Sequence, residues 1–316
     1  VFMRSPNPDD VDRAVIQQWN VAFEYRLPWD IATEIAYVGT RTDGGYADLN
    51  INYGEPGGGN AARKYFAVAG TSAINDWASR TKSRYHALQV AANRRFRNDL
   101  ALKGAYTLSR AKDMTTNGED GWVGLTWNHP LMYDQNFAVA VFDRTHVFQM
   151  GFVWETPFFK GAKTAVGRAL EGWQVSGVFA AFSGTPFSIA GSNTALNCQG
   201  CGSILINVSR EPKPTGSAGS GSEPYYPLDI FLQPTGTGAA GFGNSGRTGF
   251  RRPPVWNADV ALFKSFRMGR VRLEFRFEAT NVLNHPNWGA PVTTFTANNF
   301  MRFTPSNAES GTNTRA

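Results

Sequence analysis

The sequence predicts an all-β fold: an antiparallel transmembrane β-barrel, present in part, with about eight strands of a larger barrel. Three observations indicate this fold. Apolar and polar side chains alternate with a period of two over eight segments, and short connections between these segments alternate with long ones. The sequence contains no stretch of about 20 apolar residues, which a membrane helix would need. Together they favour strands throughout the chain.

The composition excludes a bundle of membrane helices. Hydrophobic residues make up 42% of the 316 residues and aromatic residues 13%, yet the mean hydropathy is −0.32. The longest apolar patches, such as Phe137 to Phe142, are far too short to cross a bilayer as a helix. A membrane barrel is compatible with these values because its strands alternate lipid-facing and lumen-facing residues.

The first four strands form two predicted hairpins. They are Gln18 to Leu27, Ile31 to Val38, Tyr85 to Phe96 and Leu100 to Ser109. In the first strand Trp19, Val21, Phe23 and Tyr25 share one face, which alternation makes apolar. Short turns at residues 28–30 and 97–99 join the members of each pair, as expected for antiparallel neighbours.

The last four strands repeat the pattern. They are His146 to Glu155, Trp173 to Phe182, Trp256 to Phe266 and Val271 to Asn281. The first pair is joined by a connector of medium length, and the second by the turn Arg267-Met268-Gly269-Arg270. In the last strand Val271, Leu273, Phe275 and Phe277 alternate with charged residues. This strand shows the clearest alternation in the chain.

Every second connection is long, and the long ones are polar and rich in Gly and Pro, at roughly residues 40 to 84, 110 to 144 and 190 to 255. Transmembrane barrels have short periplasmic turns at one rim and long extracellular loops at the other. A flexible linker between two soluble domains is the alternative for residues 216 to 246, but strands of the same character flank that segment. Trp and Tyr near strand ends fit either membrane-interface girdles or the core edges of a soluble β-sandwich.

Charge and cysteine content limit the partners. The net charge is +6, which suggests an anionic partner such as lipopolysaccharide. Nucleic acid is disfavoured because Lys and Arg are spread among 25 acidic residues without a basic run.

Cys198 and Cys201 form one C-x-x-C in a polar segment, without the βαβ context of a redox motif or two further zinc ligands. A local loop disulfide and two free thiols both remain open, with the disulfide preferred.

No residue pattern indicates an enzyme, a metal site or a cofactor. The sequence lacks G-x-S-x-G and H-E-x-x-H, and its G-x-G-x-x-G at residues 241–246 leads into Arg251-Arg252-Pro253-Pro254 rather than a helix. His86, His146 and His285 fall at the loop-side ends of strands, where polar rim residues are favoured over a metal cluster. Loop tryptophans are candidate ligand contacts or isolated surface aromatics. These are Trp77, Trp122 and Trp127.

The charged row of the last strand is the one candidate lumen-facing site. Arg272, Glu274, Arg276 and Glu278 occupy the face opposite the apolar residues. They could guide a charged solute through a lumen. The preferred alternative is a structural ladder of salt bridges with the neighbouring strand or with a plug domain.

Eight segments, in order from about Gln17 to Gly289, resemble the C-terminal barrel portion of Oar-like TonB-dependent outer-membrane receptors. They are QQWNVAFEYRL, IAYVGTR, YHALQVAANRRF, GAYTLSRAKD, FDRTHVFQMGFVWETPF, LEGWQVSGVFAAFSGTPFSI, WNADVALFKSF and VRLEFRFEATNVLNHPNWG. The resemblance implies a large barrel closed around an N-terminal plug, with energy for uptake supplied through TonB. The chain shows neither a plug nor a final strand ending in an aromatic residue, so we interpret it as the C-terminal portion of the barrel without its closing strand.

The leading functional hypothesis is therefore TonB-dependent uptake of a scarce ligand across the bacterial outer membrane. A siderophore, an oligosaccharide or a similar small molecule is the expected ligand, and outer-membrane lipid, lipopolysaccharide and TonB are the expected partners. One alternative is a non-transporting surface barrel that binds a partner through its long loops. The other is a soluble secreted β-sandwich that acts as a binding module.

Overall fold

Eight long strands form one antiparallel sheet in the computed structural model, which describes residues 3–6, 8–115, 124–216 and 223–304. Each strand pairs with the strands before and after it in the chain. The strands are β1 (Val15–Leu27), β2 (Ile31–Asn50), β3 (Ile74–Arg97), β4 (Leu100–Asp113), β5 (His146–Glu155), β6 (Trp173–Phe182), β7 (Val255–Met268) and β8 (Val271–Ala279). The predicted eight strands are confirmed, and the structure shows that they follow one another as a meander.

Shorter elements extend the sheet or fold the connections. Met3–Pro6 adds a parallel strand beside β3, and Ala138–Val139 pairs with β4. Two small ladders join Asn207–Val208 to Phe231–Leu232 and Pro186–Phe187 to Phe250–Arg251. The α-helices are α1 (Phe66–Ala69) and α2 (Ala165–Leu170). The 3-10 turns are Pro8–Asp10, Pro28–Asp30, Asn60–Ala62, Pro130–Asn136, Leu228–Ile230 and Ala239–Phe242.

The sheet has two different ends. At the turn end, β1–β2, β3–β4 and β7–β8 are joined by tight turns, and β5–β6 by residues 156–172 with α2. At the loop end, the long connections 51–73, 114–145 and 183–254 emerge, and residues 280–304 follow β8. Asn98 and Asp99 adopt positive φ, a conformation that Asn and Asp tolerate better than most residues. Gly269 provides the same conformation in the β7–β8 turn.

The first long connection is shorter than predicted. The sequence places it at residues 40 to 84, whereas β2 continues to Asn50 and β3 already begins at Ile74. With 20 and 24 residues at about 3.3 Å each, these strands are about twice as long as a bilayer core of about 30 Å requires. The pairing of β2 with β3 shifts register between Asp43 and Gly45, and Gly44 between them has a φ of 75°. This irregularity lies in the part of the two strands that extends past the other strands of the sheet.

The pairing register sorts the side chains into two faces. Residues opposite one another in the ladder share a face; thus Tyr37 lies opposite Leu88, and Leu88 opposite Leu108. The same face continues through Phe148 and Phe179 to the apolar residues of β8. We call it the apolar face, and the opposite side the polar face.

The apolar face of the strands lies largely open. The side chains of Phe23 and Phe277 are 73% and 68% exposed, and no second sheet covers them among the residues that the structure describes. The soluble β-sandwich alternative is therefore wrong, because a sandwich buries this face against another sheet. Within the described ranges, no helix is long and apolar enough to cross a membrane.

Most of the buried core lies outside the long strands. The connections at the loop end pack into a loop assembly, formed by the described parts of residues 51–73, 114–145, 183–254 and 280–304. Its larger cluster centres on Tyr226, Phe250 and Met301, and its smaller cluster on Trp127 and Phe242. The linker alternative for residues 216 to 246 is wrong, because Tyr225, Tyr226 and Phe231 from that segment belong to the larger cluster.

Candidate functional site

The charged row of β8 lies on the polar face and is exposed. Arg272 forms an ion pair of 3.2 Å with Glu274, and Arg276 pairs with Glu278. These pairs lie within one strand. Across the β7–β8 ladder, Glu274, Arg276 and Glu278 face three uncharged residues of β7, so among the described side chains no salt bridge joins these three to that strand. Those residues are Ser265, Phe263 and Ala261. The guanidinium of Arg276 lies 5.1 Å from the ring centre of Phe263.

Two adjoining cavities run along the polar face. The larger, about 710 Å³, is lined by Lys103, Ser176, Asp259, Arg276 and Glu278 among others. The smaller, about 550 Å³, shares Asn93 and Lys103 with the first. Its remaining charged lining residues are Glu24, Arg26 and Glu34. Charged side chains of both signs thus lie along this face, next to Gly, Ala, Ser and Val residues.

Asp259 is held in place on this face. Its Oδ1 accepts hydrogen bonds from the side-chain amide of Asn257 at 2.7 Å and from the backbone N–H of Asn281 at 2.8 Å. The second bond ties the segment after β8 back to β7. Asn281 also accepts a bond from the backbone N–H of His285 at 2.9 Å. These bonds fix the residues that follow the charged row.

One ion pair anchors the loop assembly to the loop end of the sheet, and a second lies within the assembly. Arg247 pairs with Asp113 at the end of β4, and both side chains are largely buried. Arg251 pairs with the fully buried Asp143 at 2.5 Å. Burial raises the pKa of Asp113, and the hydrogen bond from Arg247 opposes that increase. Each buried carboxylate has its own guanidinium, as burial of a charge requires.

Cys198 and Cys201 are joined by a disulfide inside the loop assembly. Their sulfur atoms lie 3.2 and 3.1 Å from the carbonyl oxygen of Gly54. The backbone N–H of Gly54 in turn donates to the carbonyl of Gln199 at 2.8 Å. The bridge therefore holds a tight turn against the first long connection.

Neither of the two candidate loop tryptophans that the structure describes is an exposed loop residue. Trp77 lies within β3, where its ring packs against Tyr46 at 5.9 Å. Trp127 is fully buried, and its Nε1 donates to the carbonyl of Ser203 at 2.7 Å. Both expectations of an exposed loop aromatic are therefore wrong. Trp122 lies outside the described residues.

Of the three histidines expected at strand ends, only His146 lies at one; His86 lies inside β3 and His285 lies after β8. The three lie apart from one another, each beside an aromatic ring. The Oη of Tyr37 is 2.8 Å from Nδ1 of His86, and that of Tyr106 is 2.7 Å from Nδ1 of His146. His285 stacks on Trp256 at 3.9 Å, and burial lowers its pKa. No group of three His, Cys, Asp or Glu side chains within the described ranges could hold a metal ion. The pairs form a polar and aromatic belt on the apolar face at the loop end.

Sequence reasoning missed the packed interior of the loop assembly. The signal that was available is the apolar content of loops otherwise rich in Gly, Ser and Pro, such as Tyr225-Tyr226 and Ile230-Phe231. Irregular backbone has no fixed period, so alternation cannot show which of these side chains are buried.

Comparisons with known proteins give one family match and distant structural resemblances. A family model described as an outer membrane beta barrel domain matches residues 2–316. The structure is similar to the outer membrane transporter YddB from Escherichia coli, with a TM-score of 0.47 and 9% identity over 90% of this chain and 31% of YddB. It is also similar to BauA, the ferric preacinetobactin receptor from Acinetobacter baumannii, with a TM-score of 0.43 and 12% identity over 91% of this chain and 28% of BauA.

The chain thus spans less than a third of the length of either protein. The comparison with curated proteins gives no match.

Proposed function

The chain belongs to the outer membrane beta barrel family, and from that premise we propose that it forms the C-terminal part of the wall of a TonB-dependent importer. It lies in the bacterial outer membrane. The imported ligand is a scarce small molecule, such as a siderophore or an oligosaccharide. The single observation that supports this function most strongly is the division of one continuous sheet into an open apolar face and a charged, cavity-bearing polar face.

The polar face supports a wide, water-filled lumen. A barrel closed by eight strands is narrow enough for side chains to fill its interior. Here β1 and β8 do not pair with each other among the described residues, and the polar face holds cavities of about 710 and 550 Å³ lined by charged groups. Further strands would complete a larger barrel. A barrel of that width requires a plug to remain sealed, and release of a plug requires energy, which is the role we assign to TonB.

The row Arg272, Glu274, Arg276 and Glu278 would then line the passage. Its internal ion pairs leave the row with no net charge, so it would interact with polar ligands without selecting one sign of charge. Recognition of the ligand would belong to the loop assembly, whose buried core and disulfide provide a rigid surface at the mouth.

The same rigidity favours the second candidate function, a surface protein that binds a partner without transport. A packed assembly with its own hydrophobic core can present a preformed interface, which reduces the entropy cost of binding a macromolecule. No part of the polar face would then need to contact the partner.

Uptake assays separate the two candidates. A strain that lacks the protein is complemented with the complete protein, in TonB-positive and TonB-negative backgrounds. The probes are radio-iron-labelled siderophores, labelled cobalamin and labelled maltodextrins, each supplied at a growth-limiting concentration. Importer function predicts that accumulation of one probe requires both the protein and TonB.

A Lys103→Gln/Arg276→Gln double variant tests the polar face in the same assay. We expect a reduced uptake rate with unchanged binding of the probe to cells, because passage and capture use different parts of the molecule. If the accumulation of every probe depends on neither the protein nor TonB, that result contradicts importer function and favours the surface role.

A further inference from the structure

Cations lie on the apolar face near the turn end, and the protein's own backbone satisfies them. The guanidinium of Arg94 in β3 donates to the carbonyls of Trp29 at 3.1 Å and Leu100 at 3.2 Å. The ammonium of Lys264 in β7 is buried and donates to the carbonyls of Arg168 at 3.1 Å and Glu171. Both charges are thereby stabilised by carbonyls of the connections at that end.

A second group of cations lies on the apolar face at the loop end, across three adjacent strands. It consists of Arg41 of β2, Lys82 and Arg84 of β3, and Arg110 and Lys112 of β4. The ladder places Arg84 opposite both Arg41 and Lys112, Lys82 opposite Asp43, and Arg110 opposite His86. We call these five residues the cationic patch.

The cationic patch is only partly neutralised. Asp43 pairs with Arg41 at 2.5 Å and with Arg84 at 2.6 Å, and hydrogen bonds from these two arginines lower its pKa. Asp43 is therefore ionised at neutral pH. Within the part of the chain that the structure describes, no carboxylate lies within ion-pair distance of Lys82, Arg110 or Lys112.

Phe137 of the loop assembly positions two members of the patch. The Nζ atoms of Lys82 and Lys112 lie 4.9 and 5.8 Å from its ring centre. Cation–π contacts at this range hold an ammonium in place without neutralising its charge. The two ammonium groups therefore remain available to an anion.

The height of the patch matches one membrane surface. Arg84 and Arg94 lie on the same face of β3, ten residues apart, with Leu88, Val90 and Ala92 between them. Ten residues span about 33 Å along a strand, or about 25 Å across the membrane at a tilt of about 40°, which is the usual height of the lipid-facing apolar band of a barrel. The patch therefore lies at the level of the headgroups on the side of the long loops.

We infer that the cationic patch binds the phosphate groups of lipopolysaccharide in the outer leaflet. Long loops mark the extracellular side of such barrels, and the phosphates of lipopolysaccharide are the anions at that level. Arginine and lysine form strong charge-assisted hydrogen bonds with phosphate oxygens. Below Arg41 and Arg84 and beside Arg110, the Tyr37–His86 pair lies at the boundary between sugar and acyl chains, where rings with a polar edge are favoured.

The inference does not depend on import, because it needs only the membrane position of the barrel. The complete protein is purified in mild detergent, and bound lipid is quantified by native mass spectrometry. The probes are lipopolysaccharide, its enzymatically dephosphorylated form, phosphatidylglycerol and inorganic phosphate. A Lys82→Gln/Arg110→Gln/Lys112→Gln variant removes the three cations without carboxylate partners, and the matched control, Arg26→Gln/Arg95→Gln/Lys103→Gln, removes three cations from the polar face.

We expect lipopolysaccharide affinity to fall about ten-fold in the patch variant and to stay unchanged in the control, because three exposed charge contacts of modest strength are lost. Dephosphorylated lipopolysaccharide should bind the unmodified protein about as weakly as the patch variant binds lipopolysaccharide. This comparison needs no variant and so does not depend on variant folding.

Equal affinity for the two forms of lipopolysaccharide would overturn the inference. Equal or tighter binding of phosphatidylglycerol or of inorganic phosphate would also overturn it, because the patch would then select charge alone. If the polar-face control also loses affinity for lipopolysaccharide, binding depends on the total charge of the protein and not on the cationic patch. That result would likewise overturn the inference.

Discussion

The eight-strand wall and the loop assembly are stabilised in different ways, although one chain builds both. In the wall, large apolar side chains such as Phe23 and Phe277 point outward and stay open. In the loop assembly, apolar side chains of the same kinds, such as Phe250 and Phe242, are almost completely buried. Lipid surrounds the wall and can solvate its apolar face, whereas water surrounds the assembly, which therefore needs its own interior.

The charged groups show the same contrast. On the wall, the pairs Arg272–Glu274 and Arg276–Glu278 are exposed and lie within one strand. The pair Arg247–Asp113, which joins the loop assembly to the end of β4, is largely buried and links residues far apart in the chain. Exposed pairs contribute little to stability, while loss of one partner from a buried pair is costly. The difference predicts where substitutions should matter.

The largest contrast is expected from one substitution made in both regions. Phe250→Ala should destabilise the loop assembly by about 3 to 5 kcal/mol, because it opens a cavity in the core around a ring that is 1% exposed. Phe275→Ala removes a ring that is 57% exposed and should cost less than about 2 kcal/mol. Urea-dependent proteolysis of the membrane-inserted protein measures both values. Equal losses would contradict the division into two regions.

The ion pairs should differ by nearly as much. Arg247→Met leaves the Asp113 carboxylate buried without its partner and should cost about 3 kcal/mol, whereas Arg272→Met should cost less than about 1 kcal/mol. Because burial already raises the pKa of Asp113, protonation relieves the unpaired charge, and the Arg247→Met defect should shrink as the pH falls. Adding Asp113→Asn should restore part of the stability at neutral pH. An undiminished defect in that double variant would refute this explanation.

Removal of the disulfide should have a smaller effect. The Cys198–Cys201 bridge closes a loop of four residues, for which the chain-entropy relation gives about 2 kcal/mol. A Cys198→Ser/Cys201→Ser variant should therefore lower the stability of the loop assembly while leaving insertion of the strands unchanged. Heat-modified mobility on gels reports insertion, and proteolysis reports the loops. Failure of the barrel to insert would show that the bridge acts beyond its own region.

Alkaline pH should weaken the loop assembly by a still smaller amount. Burial raises the pKa of Tyr225 and Tyr226 above the ordinary value of about 10. Their contribution to the free energy of unfolding is therefore fully present below that value and is lost as the pH rises, because the unfolded form releases protons first. One pH unit above the ordinary value, Tyr225 alone should lower the free energy of unfolding by about 1.4 kcal/mol.

The matched control for this effect is Tyr225→Phe, which keeps the ring and removes the titrating hydroxyl. The stability difference between the variant and the unmodified protein should change with pH only in the alkaline range. The same urea-dependent proteolysis, repeated across pH, measures it. A difference that is independent of pH would show that Tyr225 does not titrate with unfolding.

The sequence predicts the wall well where its two faces meet different surroundings. For β5 and β6 both ends are correct, because apolar and polar residues alternate over their whole length. The sequence does not predict the extensions of β2 and β3, since residues such as Arg41 and Arg84 are polar where neither face meets acyl chains. Period-two alternation disappears there, although the backbone pairing continues.

The loop assembly could not be predicted in the same way. Arg247 and Asp113 are 134 positions apart, and Arg251 and Asp143 are 108 apart. Such contacts arise only after the sheet brings the connections together at one end. Alternation places the charged row of β8 on one face with the other polar residues, but only the pairing register shows that three of its four members lie opposite uncharged residues of β7.

The central claim is that the two faces of the wall meet lipid and water respectively. Single cysteines replacing Phe275, Arg276, Phe277 and Glu278 can carry nitroxide labels, and labelling without reductant leaves the native disulfide intact. In lipid vesicles, labels at 275 and 277 should be accessible to dissolved oxygen and protected from a water-soluble nickel complex, and labels at 276 and 278 should show the opposite. Equal accessibility at all four positions would contradict the claim.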